Sequence, residues 1–159
     1  MKKINLVVLL LFLVFCLLVS CEKNSEDNSF QSSTDWLQYG IDNDGNTWLY
    51  NRNLNIKKDG DNYIVNAWAK RVLSDKGRDK IIQQMTNLGK STEGYDKLSE
   101  DKIFNEVDCK NQRYMILSIS RYNKDGKVLF SENVDKGKWN YVTPNSNGSI
   151  FLKKVCPEK

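Results

Sequence analysis

The sequence contains no histidine. A Ser-His-Asp triad is therefore excluded, as is any imidazole-based zinc site. No Cys-x-x-Cys pair and no glycine-rich phosphate loop occur, which removes a thioredoxin-type redox motif and a P-loop nucleotide site. Nor does one charge dominate: 24 Lys+Arg stand against 20 Asp+Glu. Setting aside Lys2 and Lys3 leaves 22 against 20, a net +2. A dedicated nucleic-acid binder would show a concentrated basic face. The pairs Lys57-Lys58 and Lys153-Lys154 read instead as solvated surface charge. The run Asp42-Asn43-Asp44-Gly45-Asn46 has half the oxygens of a calcium loop, but the twelfth position from Asp42 is Asn53 rather than Glu. It reads as a turn. Acidic residues are plentiful, yet no pair is set apart as the two carboxylates of a glycosidase. Neither catalysis nor a cofactor is expected.

What is present begins at the N-terminus. Lys2 and Lys3 precede an apolar run over 6–19, which ends at Ser20-Cys21 and turns polar at Glu22. This is the layout of a secretory signal. A transmembrane helix needs ~20 apolar residues, more than this run offers. The Cys placed directly after Ser20 resembles the lipobox of bacterial lipoproteins, where cleavage precedes the Cys and its thiol carries lipid. That resemblance implies a signal peptide over 1–20, an acylated, palmitate-bearing Cys21 and a protein held in the bacterial cell envelope. In the proteobacterial sorting pattern, Glu22 in place of Asp permits transport outward, so the outer membrane or cell surface is expected over the inner membrane. Residues 22–34 have no periodic apolar pattern and read as a disordered tether, spanning about 20 Å. The domain is expected over 35–159. Cys16 falls within the discarded run, leaving Cys21, Cys109 and Cys156. With Cys21 acylated, an exported compartment favours a Cys109–Cys156 disulfide. A reactive thiol is the other reading.

From Asp35 onward the pattern predicts short strands separated by turns. Strands are expected at 36–40, 47–50 and 53–57, the last by its polar–apolar alternation. Asp-Gly chemistry marks turns at 42–45 and 59–62. A longer strand over 63–72 puts Tyr63, Val65, Ala67 and Ala69 on one face, and the two Ala residues predict an element packed closely against it. Apolar residues at helical spacing (Ile81, Ile82, Met85, Leu88) predict a short helix over 78–88, with Gly89 beyond its end. Residues 95–98 and 102–109 are read as strand. Residues 113–122 are apolar on both faces, as in a sheet interior, and a hairpin signal at 123–126 returns the chain at 127–130. A last helix, capped by Asn145 or Ser146, runs to Cys156 and is stopped by Pro157. Of the four Trp residues, Trp48, Trp68 and Trp139 are assigned to the core, and Trp36, near the tether, is left open between core and binding surface.

In order, these elements resemble the surface-adhesin protein E family of bacterial lipoproteins. The carriers are the Asp42-x-Asp44-Gly45 turn before Trp48–Tyr50, and Val65-Asn66-Ala67-Trp68-Ala69-Lys70. Cys109 and Arg113 follow, ahead of the long apolar strand. Trp139-Asn140-Tyr141-Val142-Thr143-Pro144 then precedes the closing helix with Cys156. Two departures exist: Asn145-Ser146 replaces the usual Gly-Ser, and residues 74–92 match no family motif. The resemblance implies an α+β fold, an antiparallel sheet of about six strands with a C-terminal helix stapled on it by the Cys109–Cys156 disulfide. It also implies surface display and, as in the best-known member, adhesion to host matrix proteins such as vitronectin and laminin. The expected function is a non-catalytic binding module, with contact through sheet, loops or residues 74–92. A periplasm-facing structural or assembly lipoprotein without host ligand is one alternative; an unrecognised hydrolase is the other.

Overall fold

A computed structural model describes residues 35–158. The expected signal peptide, Cys21 and tether lie outside the described residues. Strands β1 (Trp36–Ile41), β2 (Thr47–Asn51), β3 (Asn55–Asp59) and β4 (Asn62–Val72) come first. Helix α1 (Asp75–Asn87) and a single 3-10 turn (Tyr95–Lys97) follow. Strands β5 (Leu98–Asp108), β6 (Arg113–Asn123), β7 (Val128–Asn133) and β8 (Asn140–Tyr141) precede helix α2 (Asn147–Val155). All pairings are antiparallel, in the order β1-β2-β4-β5-β6-β7. β3 shares the β4 edge with β2, and β8 shares the β6 edge with β7.

The sheet therefore has eight strands, not about six. The two-residue β8 carries no alternation that a sequence pattern can register. β3 forms where a half-buried strand was expected, but it is exposed along its whole length. Residues 95–97 form a 3-10 turn rather than a strand, and β5 starts only at Leu98. The first helix begins earlier than expected, at Asp75. Ser74 caps it by accepting from the Gly77 N–H, and satisfying such an orphan donor stabilises a helix by about 1 kcal/mol. The long apolar β6 is an interior strand, as expected, bonded to β5 on one side and to β7 and β8 on the other.

α2 lies on the face that bears Val65, Ala67 and Ala69, as their small size predicts. Phe151, Leu152 and Val155 join those residues, Ile103 and Val107 in one buried cluster. Ser146 caps this helix through the Ser149 N–H. The Cys109–Cys156 disulfide ties its C-terminal end to the end of β5. A second cluster, Ile81, Met85, Tyr95 and Leu98, packs α1 nearby. The 42–46 turn braces α1: Asn46 Oδ1 accepts from the Ser74 N–H, and Lys76 and Lys80 pair with Asp44. Gly77 is required in that contact, because a Cβ there would lie 1.9 Å from Asn46 Oδ1. The two-residue turn between β3 and β4 needs Gly60 at φ +61°.

Candidate functional site

Register brings five side chains into one row across five strands. Trp48 pairs with Arg71, Arg71 with Asp101, Asp101 with Arg121, and Arg121 with Phe130. Since paired residues share a face, the row runs across the helix-bearing side, between the two apolar clusters. Asp101 is completely buried. Arg71 donates to its Oδ2 through both Nε and Nη2. Arg121 Nε stands 3.5 Å from Oδ1, an ion pair too long for a good hydrogen bond. The guanidiniums also lie over rings: Arg71 is 5.3 Å from the Trp48 centroid, and Arg121 is 5.1 Å from Phe130 and 5.9 Å from Tyr95. Cation–π contacts of this kind suit the delocalised guanidinium.

The opposite face carries no helix among the described residues. It is not a polar, solvated face. Trp68 stacks on Phe104 at 4.8 Å between centroids, and 36% of Trp68 is exposed. Lys70 lies 4.7 Å above the Trp36 ring, and Lys102 lies 4.5 Å from the Tyr122 ring. Glu100 stands between the two lysines, 4.0 Å from Lys70 and 3.4 Å from Lys102. Val72 and Val128 are exposed at its margin. A half-buried aromatic centre ringed by charge is the composition of a protein interface.

Trp48 is a core residue, as expected, packed against the α2 cluster. Trp68 is not: the alternation that buries Val65, Ala67 and Ala69 sends it to the open face. Nor is Trp139 a core residue: it belongs to neither apolar cluster and lies half-buried against Arg113, whose guanidinium is 4.5 Å from its ring. Residues 74–92, read as a contact segment, are largely α1, whose Ile81 and Met85 are turned inward.

Two carboxylates are held ionised by the turns they organise. Burial pushes the Asp42 carboxyl up, but donors from Asn46, Trp48 and the Asp44 backbone outweigh it and lower its pKa. Burial likewise raises Asp108, but Asn111, Asn62 and Arg113 hold it down at about 2. The folded value lies below the ordinary 3.8. The stabilisation is therefore complete above pH ~4 and is lost as pH falls toward 2. Its size is on the order of 2 kcal/mol. Urea unfolding of Asp108→Asn should be weaker than wild type at pH 6 and nearly equal to it at pH 2.

A family model described as Surface-adhesin protein E matches residues 36–157. No curated protein and no solved structure matches the chain.

Proposed function

The chain belongs to the surface-adhesin protein E family, and we propose that it is a lipid-anchored, non-catalytic binding module whose helix-free sheet face meets a protein partner. The family supports a surface adhesin role. The observation that carries the choice of face is the exposed Trp68–Phe104 stack, flanked by Lys70 over Trp36 and Lys102 over Tyr122. Trp and Tyr are residues enriched in interface hot spots, and the lysines form a charged rim around them. The host matrix proteins vitronectin and laminin are the first partners to try.

Immobilised vitronectin and laminin should each be tested with wild type and Trp68→Thr. Threonine keeps strand propensity and removes the ring. The expected loss is about 30-fold in affinity, with the melting temperature unchanged within a few degrees. Binding that ignores the substitution would move the contact to another face. Failure of both matrix proteins to bind would remove that partner class.

Anchoring through Cys21, with 1–20 removed and 21–34 as tether, is part of the same proposal. Its support is the Lys2-Lys3 start, the apolar run and the Ser20-Cys21 step. Among the described residues no helix is long and apolar enough to cross a membrane. Each acyl methylene buried in a bilayer contributes about 0.8 kcal/mol. Cys21→Ala should abolish palmitate labelling and release the protein from the membrane fraction. Labelling that persists in that variant would refute the anchor.

A further inference from the structure

A cavity of about 250 Å³ lies under the N-terminal half of α2, between the helix and the sheet. Its walls are four rings, Tyr39, Trp48, Tyr114 and Phe151. Ala69, Ile103 and Ile116 line it from the sheet, and Gly148 lines it from the helix. The rings are tilted rather than stacked: Tyr39 stands 5.6 Å from Phe151 at 38° and 6.4 Å from Trp48 at 43°. Tilted rings around a hollow offer both faces and edges to an aromatic guest.

Two irregularities of the sheet shape this site. β1 carries one extra residue where Gln38 pairs with Leu49 and Gly40 with Trp48, and that residue is Tyr39. β6 carries another where Phe104 pairs with Ser118 and Asn105 with Ile116. Leu117 is the extra residue there, and the shift turns Ile116 to the helix side beside Asn105. Bulges re-aim side chains and are frequent next to active sites.

The polar groups inside are few and unspent. Asn105 is 3% exposed, and its amide donates to the Ile103 carbonyl at 3.1 Å. Its Oδ1 accepts no hydrogen bond among the described residues, nor do the Tyr39 and Tyr114 hydroxyls make one. A buried carbonyl without a donor is costly until something donates to it. No Lys, Arg, Asp or Glu lines the cavity. Burial, with the Tyr114 hydroxyl adding to it, pushes the Tyr39 phenol up, so that group stays neutral. A charged guest would give up its hydration for no partner.

We propose that this cavity binds a small, neutral aromatic molecule carrying one N–H or O–H donor, of the phenol or indole class. The donor meets Asn105 Oδ1, and the ring packs among Tyr39, Trp48 and Phe151. An apolar cavity of ~150 Å³ holds one benzene ring, so this one has room for a fused pair. The cavity lies on the helix-bearing side of the sheet, away from Trp68, so this proposal goes beyond the adhesin reading and fails separately from it.

The probes are indole, indene, which matches its shape without the donor, and hexanol, which carries a donor on a chain. Titration calorimetry on the full-length protein should show indole binding about tenfold tighter than either. Amide NMR should place the largest shifts at the Asn105 side chain and the Gly148 N–H, not at Gly126. Asn105→Leu keeps the volume and should bring indole and indene to equal affinity. Gly148→Leu adds a side chain where a Cβ would meet nothing nearer than 3.4 Å, so the helix should stand. Filling the cavity in this way should weaken indole binding by roughly tenfold or more. Trp68→Thr should leave indole affinity unchanged. Indene or hexanol matching indole in wild type, shifts away from Asn105, or no binding at millimolar indole would each overturn the proposal. So would indifference to Gly148→Leu, or a preference for indole that survives Asn105→Leu.

Discussion

Replacing both Cys109 and Cys156 by Ser is expected to lower the unfolding free energy by about 4 kcal/mol, as measured by urea denaturation at neutral pH. The cysteines are 47 residues apart, and closing a loop of that size removes much of the unfolded chain's freedom. The folded side of the balance points the same way. α2 has nine residues, too few to be helical on its own. It stays because Phe151, Leu152 and Val155 are buried against β4 and β5. Without the cross-link the helix must pay its own ordering entropy to reach that cluster, and the cluster opens when it leaves. A loss below about 1 kcal/mol would show that the apolar contacts of α2 hold it unaided. Reduction with dithiothreitol should reproduce the double substitution.

Asp101→Asn is expected to cost about 3–5 kcal/mol, the range for removing one member of a buried ion pair. The amide keeps the shape and removes the charge, leaving Arg71 and Arg121 facing each other across the sheet. Each arginine substitution should cost less than loss of the aspartate, because Asp101 keeps one partner when either leaves. Arg71 should matter more than Arg121, since it donates two hydrogen bonds to Oδ2 while Arg121 makes only the 3.5 Å contact. Equal costs for Asp101→Asn and Arg121→Met would mean that the row acts through packing over the rings rather than through charge. The double variant Arg71→Met with Asp101→Asn should be less unstable than the sum of its singles.

Local chemistry marked most of the elements in advance. Alternation placed Val65, Ala67 and Ala69 under a helix. Turn residues set the β3–β4 hairpin, and Ser146 with Pro157 bounded α2. What one strand at a time cannot show is register. Arg71, Asp101 and Arg121 are 30 and 20 residues apart in pairs, and only the β4–β5–β6 pairing puts them side by side. A partial signal was there: Asp101 shares its parity with Ile103 and Val107, so a charge fell where the pattern calls for a buried group. Trp68 was assigned to the core by residue type, although its neighbours' alternation already pointed it outward. β8 was invisible because two residues have no period. Residues 74–92 fall inside the family match over 36–157, and local contacts, the Ser74 cap and the Gly77–Asn46 approach, set their helix.

The position of β1 has a mechanical consequence. It is one of the two end strands of the sheet, bonded along one side only, to β2. A pull on its N-terminal end breaks its bonds to β2 first, and strands then peel away in turn. Peeling cannot run through the whole domain, because the covalent link at Cys109 closes residues 109–156 into a loop that tension passes by. The domain would lengthen by up to roughly 250 Å and then stop, with the last third of the chain spared: a fuse with a fixed travel.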